Sequence, residues 1–167
     1  MQKLFILVIA AAGTWWYFVG GRKIDEAQVH DYYHQMQVAT LDRKPDNLCA
    51  LLAPEFQSSG TVRVAGQSRI DTQNREQVCA SYQEMYDTFA KLGEQMGGLL
   101  QLNSSVSVNS VVISPDGKTA TVDLNSSLDV GGSIMNLRSH STDTLVRRNG
   151  KVLMLNSTGT GAIGGGG

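Results

Sequence analysis

Along residues 119–128 apolar or small side chains alternate with polar ones. Ala120, Val122, Leu124, Ser126 and Leu128 share one face, and Thr119, Thr121, Asp123, Asn125 and Ser127 share the other. Side chains on a strand point to opposite sides with a period of two, so this segment settles as a strand with one buried and one wet face, the habit of antiparallel sheet. Turn signals supply its neighbours. Ser114-Pro115-Asp116-Gly117-Lys118 joins it to a strand over 105–113. Asn149-Gly150, the strongest short hairpin signal, joins a strand over 135–148 to one over 152–158. The Gly131-Gly132 pair lies in the middle connection, 129–133. Strands in this order predict an antiparallel meander, followed by a disordered Gly-rich tail over 161–167.

The first half of the chain has a different period. Residues 24–41 place Val29, Tyr32, Tyr33, Met36, Ala39 and Thr40 near helical spacing, with Asp25 and Glu26 in the first turn, where the helix dipole favours acids. Asp42-Arg43-Lys44-Pro45 ends that helix. A short helix follows, with Pro45 near its first turn, Asp46 and Asn47 as capping candidates, and Leu48, Leu51 and Leu52 giving an apolar face up to Pro54. Residues 56–71 lean to β structure: Val62 and Val64 alternate with Arg63, and Gly60 and Gly66 mark turns. A third helix runs from a cap at Thr72 or Asn74 to Leu92, with Gly93 at its stop. Val78, Tyr82, Met85, Phe89 and Leu92 form its stripe, widened by Cys79, Tyr86 and Ala90. Such a stripe requires a large apolar surface to pack on.

Residues 4–20 are 17 positions without a charge, bounded by Lys3 and by Arg22-Lys23. As a helix they extend about 25 Å, a marginal span for a hydrocarbon core of about 30 Å. Trp15-Trp16-Tyr17 stands where an interfacial aromatic belt would stand. Ala10 and Ala12 offer a competing signal-peptide cleavage site, but cutting there leaves a short apolar run before it. The balance favours an uncleaved anchor over residues 1–23 with a folded domain over 24–160 outside the cytoplasm. Beyond Lys23 the chain carries 11 basic against 15 acidic residues, a net charge of −4. A nucleic-acid partner is disfavoured, because phosphate binding needs a clustered basic face. Arg147, Arg148 and Lys151 form a local basic cluster around Asn149-Gly150 and read as the solvated end of a hairpin. Cys49 and Cys79 fall on apolar helix faces that can meet, and outside the cytoplasm a disulfide between them is favoured over two buried thiols.

The order helix, helix, irregular hairpin, long helix, meander resembles the nuclear-transport-factor-2-like, or SnoaL-like, family. The passages that carry the resemblance are Asn74-Arg75-Glu76-Gln77-Val78, Asp116-Gly117-Lys118-Thr119-Ala120-Thr121-Val122 and the run from Asp143 through Asn149-Gly150 to Val152. The resemblance implies an α+β domain, a cone in which a bent antiparallel sheet wraps around three helices, here preceded by one transmembrane helix. It implies either an isomerase or dehydratase acting on apolar rings or a domain without chemistry. An anchor followed directly by such a domain is similar to periplasmic assembly components of bacterial secretion machines. That similarity implies a single-pass inner-membrane protein with its domain in the periplasm, or a secreted periplasmic one after cleavage, with an envelope protein as partner. Homo-oligomerisation through the open face of the sheet is a further implication of the fold.

Candidate chemistry is sparse. Asp31 with Tyr32 and Tyr33, and Asp143 on a strand, are the candidates for the aspartate-and-phenol arrangement by which ketosteroid isomerase works. Tyr82 and Tyr86 can contribute from the third helix. Ser139, Ser141 and Asp143 make a polar patch within the stripe of Met135, Leu137 and Leu145; if that face points inward, it lines a pocket with Tyr33, Tyr82 and Tyr86. His30 and His34 are four apart on the first helix but lack a third ligand, so they read as surface or rim histidines and no metal is expected. No cofactor motif is present. A non-catalytic binding or assembly module, taking a protein partner or a small apolar ligand, is the favoured expectation.

Overall fold

The computed structural model describes residues 23–165 apart from 65, 99 and 133. The anchor expected over residues 4–20 lies outside the described residues. No helix among those described is long and apolar enough to cross a membrane.

Two capping boxes start the longer helices. Asp25 accepts a hydrogen bond from the Gln28 backbone N–H while the Gln28 side chain accepts one from the Asp25 backbone N–H, opening α1, Glu26–Leu41. After the short α2, Pro45–Ala50, and a hairpin of β1, Leu52–Val64, and β2, Gln67–Asn74, Asn74 and Gln77 repeat the device for α3, Arg75–Gln95. Each box satisfies donors that a helix start leaves open. Gly93 is buried inside α3 rather than stopping it. The stop is Gly97, at φ 82°, where the Gly98 N–H reaches the Gly93 carbonyl at 2.9 Å and Gly97 reaches Glu94 at 3.3 Å, a Schellman closure. The buried stripe accordingly runs Val78, Tyr86, Phe89, Gly93, while Leu92 is exposed.

The second half is β3, Leu102–Ile113, β4, Thr119–Val130, β5, Met135–Arg148, and β6, Lys151–Gly165. These four form the expected antiparallel meander, and the β5–β6 turn has positive φ at both Asn149 and Gly150, the geometry for which Asn-Gly is suited. Among the described residues, however, the sheet has six strands in the order β2-β1-β6-β5-β4-β3. β1 joins β6 in parallel, with Val64 opposite Ile163. The tail expected to be disordered is therefore strand through Gly165. Glycine weakens a strand through entropy, but here β5 and β1 hold β6 from both sides, which offsets that loss.

Gly60 is likewise no turn. It sits within β1 directly opposite Gly159, and a Cβ there would stand 2.6 Å from the Gly159 carbonyl oxygen. A Cβ on Gly159 would overlap the His140 carbonyl oxygen. The three strands approach so closely that only glycine fits. The core lies between the helices and one face of the sheet. One part gathers Val29, Tyr32, Tyr33, Phe56, Val122 and Leu145, and the other Ala39, Leu48, Tyr86, Phe89, Leu100 and Val130.

Cys49 at the end of α2 and Cys79 in the second turn of α3 are joined by a disulfide across a sequence separation of 30. A loop of that size corresponds to a stabilisation of about 3 to 4 kcal/mol by restriction of the unfolded chain. Replacing both cysteines by serine is expected to lower the free energy of unfolding by about that amount in a urea titration. Gly159→Ala is expected to cost about 1 to 3 kcal/mol in the same titration through overpacking. An unchanged midpoint would show that the strands can separate at no cost.

Candidate functional site

The inner face of β5 carries the site. Alternation aims Leu137, Ser139, Ser141, Asp143 and Leu145 at the helices, in agreement with the partly and fully buried pattern along that face. Asp143 is only 2% exposed. The Tyr33 hydroxyl, brought down from α1, donates to its Oδ2 at 2.9 Å, and the Ser157 hydroxyl on β6 donates to Oδ1 at 2.7 Å. Ser141 adds a third hydroxyl to the carboxyl. All three partners are neutral.

A carboxylate in such a place loses hydration that neutral hydroxyls replace only in part. Burial accordingly raises the Asp143 pKa from its ordinary 3.8, against the opposing pull of the hydrogen bonds from Ser157, Tyr33 and Ser141. The same burial, with the nearby carboxylate, pushes the Tyr33 phenol up as well. Tyr32 packs edge-on against Tyr33, ring centroids 5.2 Å apart, and its hydroxyl donates to the Leu51 carbonyl at 3.2 Å. Its phenol is raised chiefly by burial.

Toward the open end of the cone the polar patch meets a cavity of about 520 Å³, a volume suited to a small organic ligand. Tyr82, Met85 and Tyr86 of α3 face Leu137 and Ser139 of β5 and Ile163 of β6 across it. Ser139 shares a hydrogen bond of 2.6 Å with Ser126 on β4. The Tyr86 hydroxyl is turned to the Thr40 carbonyl at 3.0 Å, while burial raises the Tyr82 phenol to about 12. Arg138 is the one ionised side chain among the described residues that line the cavity; no carboxylate or imidazole does. Neither Asp143, Tyr33 nor Ser141 reaches the wall. They form a layer beneath it.

Of the candidates read from sequence, Asp143, Tyr33, Ser141, Ser139, Tyr82 and Tyr86 therefore fall on the interior, in two tiers, and Tyr32 is a core residue beside Tyr33. Asp31 does not join them. Adjacent helix positions are about 100° apart, and with Tyr32 and Tyr33 turned inward Asp31 is exposed, accepting a hydrogen bond from Gln35 at 2.7 Å. His30 and His34 are also exposed, and no group of three metal-ligating side chains forms among the described residues. Sequence reasoning missed Ser157 and Ile163. The register irregularity between Thr144 and Leu145 sets Ser157 opposite Asp143, and no local signal in the sequence marks it.

No protein-family model matches the chain, and no curated protein matches it in sequence. Solved structures resemble it over most of its length. A conserved protein of Planctomyces limnophilus aligns with a TM-score of 0.57 at 15% identity, covering 82% of this chain and 95% of that one. An NTF-2 like protein of Shewanella oneidensis aligns at 0.56 and 10% identity, covering 80% and 97%. A ketosteroid isomerase-like protein of Erwinia carotovora atroseptica aligns at 0.53 and 9% identity, covering 83% and 98%. Likeness at these identities is one of fold: the described chain is an α+β domain of the nuclear-transport-factor-2-like type, a curved sheet around three helices.

The raised Asp143 pKa fixes the sign of a pH effect. A folded-state pKa above the unfolded one means that the native protein holds the extra proton, so the stabilisation is fully present below about pH 3.8 and is lost as pH rises through the folded value. Asp143→Asn removes this titration. Its stability relative to the parent is expected to improve as pH is raised from 3.5 through the window above 3.8. Parallel urea midpoints that keep a constant gap over that range would contradict the assignment.

Proposed function

We propose that this chain is a membrane-tethered binding module that holds a small, largely apolar ligand in the cone without turning it over. The observation that carries the reading is the cavity of about 520 Å³, whose exposed wall is mainly apolar and whose lining also includes Ser, Thr and Tyr hydroxyls, Gln37, Gln73 and Arg138. Such a wall gains free energy by excluding water from an apolar surface and orients the ligand through few polar contacts. The acid that could act as a base lies under Tyr33 and Ser157 instead of in the wall. Residues 4–20 would serve as the tether, holding the domain in the bacterial envelope, on the periplasmic side of the inner membrane, where a protein partner and a second copy of the chain are further candidates for contact. The net charge beyond Lys23 argues against nucleic acid.

The Asp143–Tyr33 pair supports a second reading, a small isomerase or dehydratase with Asp143 as general base. A carboxyl poised by burial and hydrogen-bonded to a phenol is the chemistry of enolisation next to a carbonyl, and the likeness to a ketosteroid isomerase-like protein is compatible with it. This reading requires Tyr33 to swing off the carboxylate when substrate enters.

Saturation-transfer NMR with 2-naphthol on the full chain in lipid nanodiscs, against empty nanodiscs, separates the possibilities. Ring protons are expected to receive saturation from the parent and from Asp143→Asn, and to lose it in Leu137→Arg, which places a charge in the cavity. Equal saturation in Leu137→Arg would reject the cavity as the binding site. Deuterium incorporation next to the carbonyl of a cyclic ketone, catalysed by the parent and absent in Asp143→Asn, would move the assignment to the enzyme.

A further inference from the structure

The face of the sheet turned away from the helices holds a second, polar basin beside the cavity. Arg138 on β5 and Arg63 on β1 are both paired in register with Ala162 on the intervening β6. Two strand spacings set their Cα atoms roughly 9 to 10 Å apart, with only a methyl group between them. Both arginines line one open basin of about 730 Å³ that also takes in Ser105, Ser127, Thr160 and His140, and no carboxylate lines it among the described residues.

Neither arginine is neutralised within the chain. The Arg63 side chain has no hydrogen-bond or ion-pair partner among the described residues. Arg138 spends Nε on Asn136 at 3.0 Å, and none of the described ion pairs includes it. The acids on adjoining rows are engaged elsewhere: Asp129 accepts from Asn136, and Asp123 is held by Asn109 at 2.7 Å and lies 3.2 Å from His140. Two guanidinium groups facing one basin repel each other, and no carboxylate among the described residues of its lining offsets them. A guanidinium offers a planar fork of donors matched to carboxylate or phosphate, and the surrounding hydroxyls add neutral donors.

We propose that this basin is an oxyanion-binding site, in which Arg63 and Arg138 clasp a carboxylate or phosphate group over Ala162 while Ser127 and Thr160 supply hydroxyl donors. The basin adjoins the apolar cavity and shares Ser127, Arg138 and Ala162 with its lining, whereas Arg63 and Thr160 line the basin and not the cavity. The shared chemistry is that of a resonance-stabilised oxyanion, whether carried on a phosphorylated or a carboxylated molecule.

The test uses the full chain in nanodiscs of neutral lipid. Thermal midpoints are compared in phosphate, acetate and chloride at matched ionic strength, and phosphate binding is followed by equilibrium dialysis. A saturable upward shift of the midpoint is expected in phosphate or acetate over chloride, and which of the two acts identifies the source class. Arg63→Gln and Arg138→Gln are each expected to weaken binding about tenfold or more, since each removes charge-assisted hydrogen bonds. Ala162→Asp supplies an internal counter-charge; it is expected to raise the midpoint in chloride and to abolish the oxyanion response. Identical midpoints in all three salts would overturn the proposal. So would a response undiminished in the double glutamine variant, or one that survives Ala162→Asp.

Discussion

Strand β6 is hydrogen-bonded along both edges, antiparallel to β5 and parallel to β1, and the rest of the domain depends on that double pairing. Without it the chain would be a four-stranded meander beside a loose hairpin. With it, β1 and β2 extend one sheet that the helices can cover. The contact that permits it is Gly60 against Gly159, where two backbones meet with no side chain between them. Glycine loses more entropy on folding than other residues, so placing it mid-strand is favourable only where close approach requires it. Along β6 the glycines at 159 and 161 also leave space above the inner face, and Gly161 lies in the wall of the cavity.

The interior polar layer is the second consequence. Asp143 stands between Val122 on β4 and Ser157 on β6, and Tyr33 covers it from α1. A buried carboxyl is tolerated because three hydroxyls meet it, and because it can take up a proton when hydration is withdrawn. Hydroxyls both donate and accept, so the same three partners serve the charged and the neutral acid. The arrangement couples helix α1 to the centre of the sheet, and it sits one tier below a cavity of quite different character.

The two faces of the sheet thus divide their chemistry. The inner face is apolar with hydroxyls and closes on a ligand-sized space. The outer face is rich in Ser, Thr and Asn, with Arg63 and Arg138 over one basin and the His140, Asp123, Asn125 and Asn109 side chains linked beside it. Since successive residues of a strand point to opposite sides, Arg138 and Ser139 present these two chemistries from adjacent positions. A change of register by one residue would exchange them.

Period and punctuation alone determined the three helices, the meander, the Asn-Gly hairpin and the common face of Ser139, Ser141 and Asp143, because these depend on near neighbours in the chain; that this face points inward was decided by the packing of the helices on the sheet. The pairing of Cys49 with Cys79 was an expectation from two apolar helix faces, and α2 against α3 supplies the contact. What the tertiary structure decided is everything that needs two distant segments to meet. The parallel β1–β6 register turned a tail read as disordered into a strand and Gly60 from a turn into a contact. The rotation of α1 separated Asp31 from Tyr33, and a register irregularity in the last hairpin placed Ser157 beneath Asp143. Local pattern records which side of an element is apolar; it holds no record of which residue on another element will stand opposite, since that is set by packing and register across the whole sheet.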